Sequence, residues 1–332
     1  MKKRKIAIII IVLFLLASGL VIFLTVPKMS PEDRRRQEII EAFEEKIYES
    51  PQAYVPDEET AHGILQAQGR LLRKESPENE VRQMELELEN AYGMDAVNLR
   101  DMQPETAKDL KKACEYMYST YPVLQGYLTN IELRDEVTES VAAVALFECD
   151  TYITNLSPEL YPIVIKKQVL LRAKDFENPR RLENSVTINV RDGYWTEGTD
   201  VSAVLVHELG HALVSCILSH KYGLDNAVLI DEQLSDAYAK YNEQQLADHQ
   251  EFVKEVCNTA FDQYRQQHGE ISYEDFCGQI SGYAKGEQED GGISYDETVA
   301  EAISHVYVHG KDSADAAKLI LEQIKKSIEE YQ

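Results

Sequence analysis

The sequence predicts an α+β protein, and three observations carry that reading. Short apolar segments with strand character occupy the middle of the chain. Helical spacing runs almost without interruption after residue 200. An uncharged segment of 21 residues stands apart at the N-terminus. The expected architecture is a small sheet with one motif-bearing helix and a helical C-terminal half, behind an N-terminal membrane helix and a helical stalk. The 332 residues suffice for one or two compact domains with a sizeable core.

The N-terminal segment comes first. Residues 1–28 hold five basic residues (Lys2, Lys3, Arg4, Lys5 and Lys28) and no acid. Residues Ile6–Val26 carry no charge. At about 1.5 Å per residue this length matches a hydrocarbon core of roughly 30 Å. The basic cluster in front of it places the N-terminus in the cytoplasm and the following chain outside, as a single-pass cell-membrane protein. Signal cleavage with secretion is the alternative. It is disfavoured because the apolar run exceeds the usual length and Ala17-Ser18-Gly19 lies in its middle.

Residues 29–332 hold 29 basic and 58 acidic residues, a net charge of −29. Such a chain lacks the basic face that phosphate binding requires, so nucleic acid is not an expected partner. The five cysteines (Cys114, Cys149, Cys216, Cys257 and Cys277) are far apart and include no C-x-x-C pair. That excludes a cysteine-rich zinc module.

Three units follow: an anchor over 1–28, a helical stalk or cap over 29–100, and a main domain over 101–332. Ser30-Pro31-Glu32-Asp33 has the pattern of a helix start, with a cap, a proline at the first position and early acids. Ser50–Thr60 reads as a linker, and residues 61–100 as charged helix broken at Ser76-Pro77. Pro104–Tyr118 reads as an amphipathic helix with Ala107, Leu110, Ala113, Cys114 and Met117 on one face. Leu128–Leu133 and Ser185–Val190 read as strands, the second because Val186, Ile188 and Val190 alternate with polar residues. Val137–Phe147 and Ile163–Leu171 are apolar and open to either state. Residues 285–294 read as a loop, and Ser313–Tyr331 as a closing helix.

Chemistry concentrates at His207-Glu208-Leu209-Gly210-His211, an H-E-x-x-H pattern inside an otherwise apolar helical segment. Histidines four apart lie one turn from each other and can share one ion, while Glu208 sits beside them, placed to take a proton from water. Two histidines and a glutamate are costly in an apolar helix without such a role. The run lacks the further uninterrupted spans that an intramembrane protease needs.

Zinc at such a site needs a third protein ligand. The metzincin pattern fails, because Val214 and Ile217 stand where glycine and histidine belong. Two acidic pairs remain. Glu232 and Asp236, in Asp-Glu-Gln-Leu-Ser-Asp, resemble a thermolysin-like segment, with Asp231 in place of asparagine and a spacing one residue long. Glu297 and Glu301 lie in Asp-Glu-Thr-Val-Ala-Glu-Ala, downstream of Ile280-Ser281-Gly282-Tyr283-Ala284.

Together with the H-E-x-x-H pattern, this second set resembles the lethal-factor-like zinc metallopeptidases over about residues 104–332. The resemblance implies a zincin-like catalytic domain, one Zn²⁺ ion and a polypeptide substrate. It implies His207, His211 and Glu297 as metal ligands, Glu208 as catalytic base, Glu301 as an outer support and Tyr283 as an assisting tyrosine. The interval between tyrosine and glutamate is longer here than in that family, which leaves Tyr295 as a substitute for Tyr283. The implied protein is a membrane-anchored hydrolase with its catalytic domain outside the cytoplasm. A zincin-fold chain that binds partners without catalysis is the rival, and the intact Glu208 speaks against it.

Overall fold

A computed structural model describes Gln66 and residues 80–100, 102–134, 143–151, 163–222, 234–285 and 294–331. The expected membrane helix (6–26), most of the stalk, the 286–293 part of the loop and Glu232 lie outside the described residues.

Helix α1 (Glu80–Tyr92) buries Val81, Met84 and Leu88 at helical spacing, and strand β1 (Ala96–Asn98) follows at once. Residues 96–98 are therefore strand, not the helix expected through 100. β1 lies at one edge of the sheet, and α1 supplies partners for its outward amides. Oε1 of Glu89 accepts from Val97 N at 2.7 Å, and Oε1 of Glu85 accepts from Leu99 N just beyond the strand at 2.7 Å. An unpaired edge is thus closed by two carboxylates one helical turn apart.

Helix α2 (Pro104–Thr120) carries the buried face expected from the sequence and crosses to strand β2 (Asn130–Arg134), which pairs parallel with β1. Parallel neighbours require such a crossover. The two ambiguous apolar segments are both strands. β3 (Ala143–Thr151) and β4 (Ile163–Arg172) pair antiparallel, and β4 runs parallel to β2. The order β1-β2-β4-β3 makes a mixed four-stranded sheet with β3 at the second edge.

After the short helix α3 (Ala173–Phe176) comes α4 (Pro179–Arg191), where the sequence reading was wrong. Ser185–Val190 is the second half of a helix, not a strand. The Asn178 side chain accepts from Arg181 N, Pro179 takes the first position, and Leu182 and Val186 are buried one turn apart. Ile188, a supposed inward strand position, is instead exposed. A start signal at 178–179 outranks an alternation of three β-branched residues.

The C-terminal half is helical: α5 (Val201–Tyr222), α6 (Leu234–His268), α7 (Tyr273–Gly278), α8 (Tyr295–His309) and α9 (Asp315–Tyr331). Helix α5 runs through the centre, packed on α8, α2 and β3. Its stretch Val201–Lys221 is long and apolar enough to cross a membrane, yet 83% of its most apolar window is buried within the fold. The hydropathy is that of a core helix.

One glycine permits the packing of α5 on α8. A Cβ at Gly210 would meet the Ala300 Cα at 3.3 Å and the Ile303 side chain at 3.2 Å. Gly210→Val should lower stability by roughly 1–3 kcal/mol, the usual cost of overpacking a filled core. Thermal unfolding of the full chain measures it. An unchanged midpoint would show that the two helices can separate freely.

Candidate metal centre

Helix α8 begins with a stretch in which capping and chemistry overlap. The Ser294 hydroxyl caps the helix by accepting from Glu297 N at 3.3 Å, and Asp296 and Glu297 occupy its first turn. Acids are favourable there because the helix end carries partial positive charge. The close approach at Gly210 then sets this acidic turn against the histidines of α5.

Nε2 of His207 and Nε2 of His211 lie 3.1 Å apart. Oε2 of Glu297 is 3.0 Å from the first and 3.5 Å from the second. Ligands held tetrahedrally at 2.0–2.1 Å from a divalent ion sit about 3.3 Å from one another. The three edges fit that spacing. A further observation supports a shared centre: Oε2 of Glu297 is buried and has no aligned hydrogen-bond donor, although both imidazoles face it. Among the described residues this is the group of three that could hold a metal ion.

Each imidazole is braced on its far side. Nδ1 of His207 lies 2.8 Å from Oε1 of the buried Glu301. That contact rests on distance and charge rather than on in-line geometry, since Nδ1 has no fully aligned partner. Nδ1 of His211 lies 3.0 Å from Oδ2 of Asp296, whose Oδ1 is 2.8 Å from Nε2 of His249 on α6. Carboxylates behind metal-binding imidazoles orient the rings and keep the outward nitrogen available. Asp296 and His249 were not foreseen. A second acid beside Glu297 was the available signal for Asp296. For His249 the signal was a polar residue on the apolar stripe of α6.

Glu208 lines a cavity of about 400 Å³ beside the cluster, together with Tyr194, Trp195, Leu182 and Arg172. Tyr283 lines it too. Its ring centroid is 5.9 Å from that of His207, and the Glu297 carboxylate is near enough to act on its phenol. A backbone clip holds it there: Gly282 N donates to Gly193 O at 3.1 Å, and Tyr283 N donates to Tyr194 O at 2.9 Å. Only glycine fits at 282, because a Cβ would stand 2.5 Å from the Gly193 carbonyl oxygen. Tyr295, the expected substitute, packs instead against Tyr273 with ring centroids 5.6 Å apart. Of the two candidate third ligands, Glu297 is at the histidines, while Glu232 lies outside the described residues and the side chain of Asp236 is likewise not described.

Burial opposes charge on these groups, and their mutual pairing overcomes it. Burial lowers the His207 imidazole, but Glu297 and Glu301 outweigh it and raise its pKa to about 10. His211 is raised well above its usual value by Asp296 and Glu297 against the same penalty. Burial likewise disfavours the charge of Glu297, yet the two imidazoles hold its carboxyl well below the usual range. Burial, then the Glu297 charge, pushes the Tyr283 phenol far up, so it stays protonated at neutral pH.

No protein-family model, curated protein or solved structure matches this chain.

Raised by the carboxylates around them, these imidazoles hold protons at neutral pH that a divalent ion would have to displace. Binding of a divalent ion at pH 7 should therefore release about one to two protons. Calorimetry in two buffers of different ionisation enthalpy measures this, and a heat that is the same in both would contradict it. The sign for stability follows from the raised His207 value. Its contribution in the metal-free chain is complete below pH 6.5 and is lost as pH rises toward about 10.

Proposed function

We propose that this chain is a zinc-dependent endopeptidase. In this reading it is anchored through residues 6–26 as a single-pass membrane protein. Its catalytic domain lies outside the cytoplasm, where it hydrolyses an extracytoplasmic protein or peptide. The observation that carries the enzymatic reading is the meeting of two imidazoles and one carboxylate at ligand spacing, with Glu208 beside them on a cavity wall. Three nitrogen and oxygen ligands, with His207 also on the wall of a cavity, suit catalytic zinc better than a closed structural site of four protein ligands. The lethal-factor-like resemblance of the same residues supports the choice of reaction. The uncharged length of 6–26 and the basic residues before it support the anchor.

His207, His211 and Glu297 would hold the zinc ion, which when bound would supply Lewis acidity to a carbonyl and to a water at the site. Glu208 accepts the proton of that water and delivers it to the leaving amine. Tyr283, kept protonated by burial and by Glu297, donates a hydrogen bond to the developing oxyanion. Glu301 keeps the His207 ring in position, and Arg172, Tyr194 and Trp195 line the space in which the polypeptide lies.

The test is Glu208→Gln in the full-length chain, comparing bound zinc with hydrolysis of an unfolded protein substrate. Zinc content should be unchanged and turnover should fall by roughly 10²–10⁴-fold, the span that a general base contributes. Near-normal turnover would overturn the mechanism. Recovery of the active chain in the soluble fraction after alkaline washing of membranes would overturn the anchor.

A further inference from the structure

The imidazole of His249 belongs to no part of the mechanism above. Helix α6 buries Phe252, Val253, Val256, Cys257 and Ala260 along one face. Counting back one turn along that face gives residue 249. A histidine there carries two polar ring nitrogens toward the core, which is unfavourable unless they are engaged. One of them is engaged with Oδ1 of Asp296, at 2.8 Å. The other oxygen of Asp296 meets Nδ1 of His211, at 3.0 Å.

We infer that His249 is a positioning residue for the metal centre, acting through Asp296 on the ligand His211. The inference rests on the metal-site reading. Its physical basis is a division of donors. A carboxylate carries lone pairs on both oxygens and turns freely about its last bond. With Oδ1 fixed by the Nε2–H of His249, Oδ2 is held in the direction of His211. The Nδ1–H of His211 then stays on the Asp296 side, and its Nε2 lone pair stays directed at the common centre of His207 and Glu297. The three groups come from three helices, α5, α6 and α8, so the chain of contacts also ties α6 to the site. Among the described residues His207 has a single carboxylate, Glu301, in the same position. The His211 side of the centre therefore has one more layer of support than the His207 side.

The experiment is a double-mutant cycle read as zinc affinity, not as activity. The full-length chain and its variants compete for Zn²⁺ with a chromophoric chelator. Asp296→Asn should weaken zinc binding by roughly 10–100-fold, as for other lost outer carboxylates. His249→Leu, which suits the apolar stripe, should weaken it by about tenfold, the lower end of that range. In the Asp296→Asn background the same leucine should have almost no effect. His249→Gln, which keeps an N–H donor, should restore most of the affinity. A leucine effect of equal size in both backgrounds, or a glutamine variant as weak as the leucine one, would overturn the inference. Should His249→Leu fail to fold, the Gln variant is compared with His249→Met, which offers no donor and no charge. Equal affinities in that pair would likewise overturn it. If the unmutated chain binds no zinc, the metal-site reading itself fails, which is a different result from a wild-type affinity unaffected by His249.

Discussion

Everything at the centre of this protein depends on how closely α5 approaches α8. Where they cross, Gly210 leaves room for the Ala300 backbone, and the first turn of α8 comes to rest against His207 and His211. Separation by the width of a methyl group would open the 3.0–3.5 Å spacings among the ligand atoms. The same contact brings Asp296, Glu297 and Glu301 into the core, where carboxylates are costly unless they are paired. Each one has an imidazole next to it. Charge compensation and ligand placement are therefore one arrangement, and neither survives without the other.

The sheet and the flanking segments serve this arrangement at longer range. The carboxylates of Glu85 and Glu89 close the β1 edge, and α2 spans from β1 to β2 while packing on α5. At the cavity, the clip between Gly193–Tyr194 and Gly282–Tyr283 joins the end of α4 to the segment before α8. Tyr283 is held by backbone hydrogen bonds rather than by its own packing alone. The tyrosine rings of 194 and 283 then meet along the cavity wall, with centroids 4.8 Å apart and planes tilted by 38°.

The legible parts of the fold were those governed by a single local period. Histidines four apart on a helix must share a face, so the His207–His211 pair could be read without any knowledge of the surroundings. The buried face of Pro104–Tyr118 followed from the same rule. The acids of α8 were legible as a pair because Glu297 and Glu301 are also four apart. Asp296 was missed because it lies about 100° round the helix from Glu297 and serves the other histidine. Nothing in its local spacing reveals that. His249 was missed for a related reason: 38 residues separate it from His211, and tertiary packing, chiefly of α6 on α8, joins them. At α4, alternating β-branched residues imitated a strand, while the Asn178-Pro179 start signal pointed the other way.

The central claim is that His207, His211 and Glu297 together hold one metal ion. X-ray absorption at the zinc edge, on the zinc-loaded full-length chain, tests it most directly. One ion per chain should show a first shell of nitrogen and oxygen near 2.0–2.1 Å, with outer scattering from two imidazoles. Glu297→Gln should strip the ion at chelator concentrations that leave the unmutated chain loaded. A sulfur shell near 2.3 Å, fewer than two imidazoles, or a Glu297→Gln chain that keeps its zinc would contradict the account.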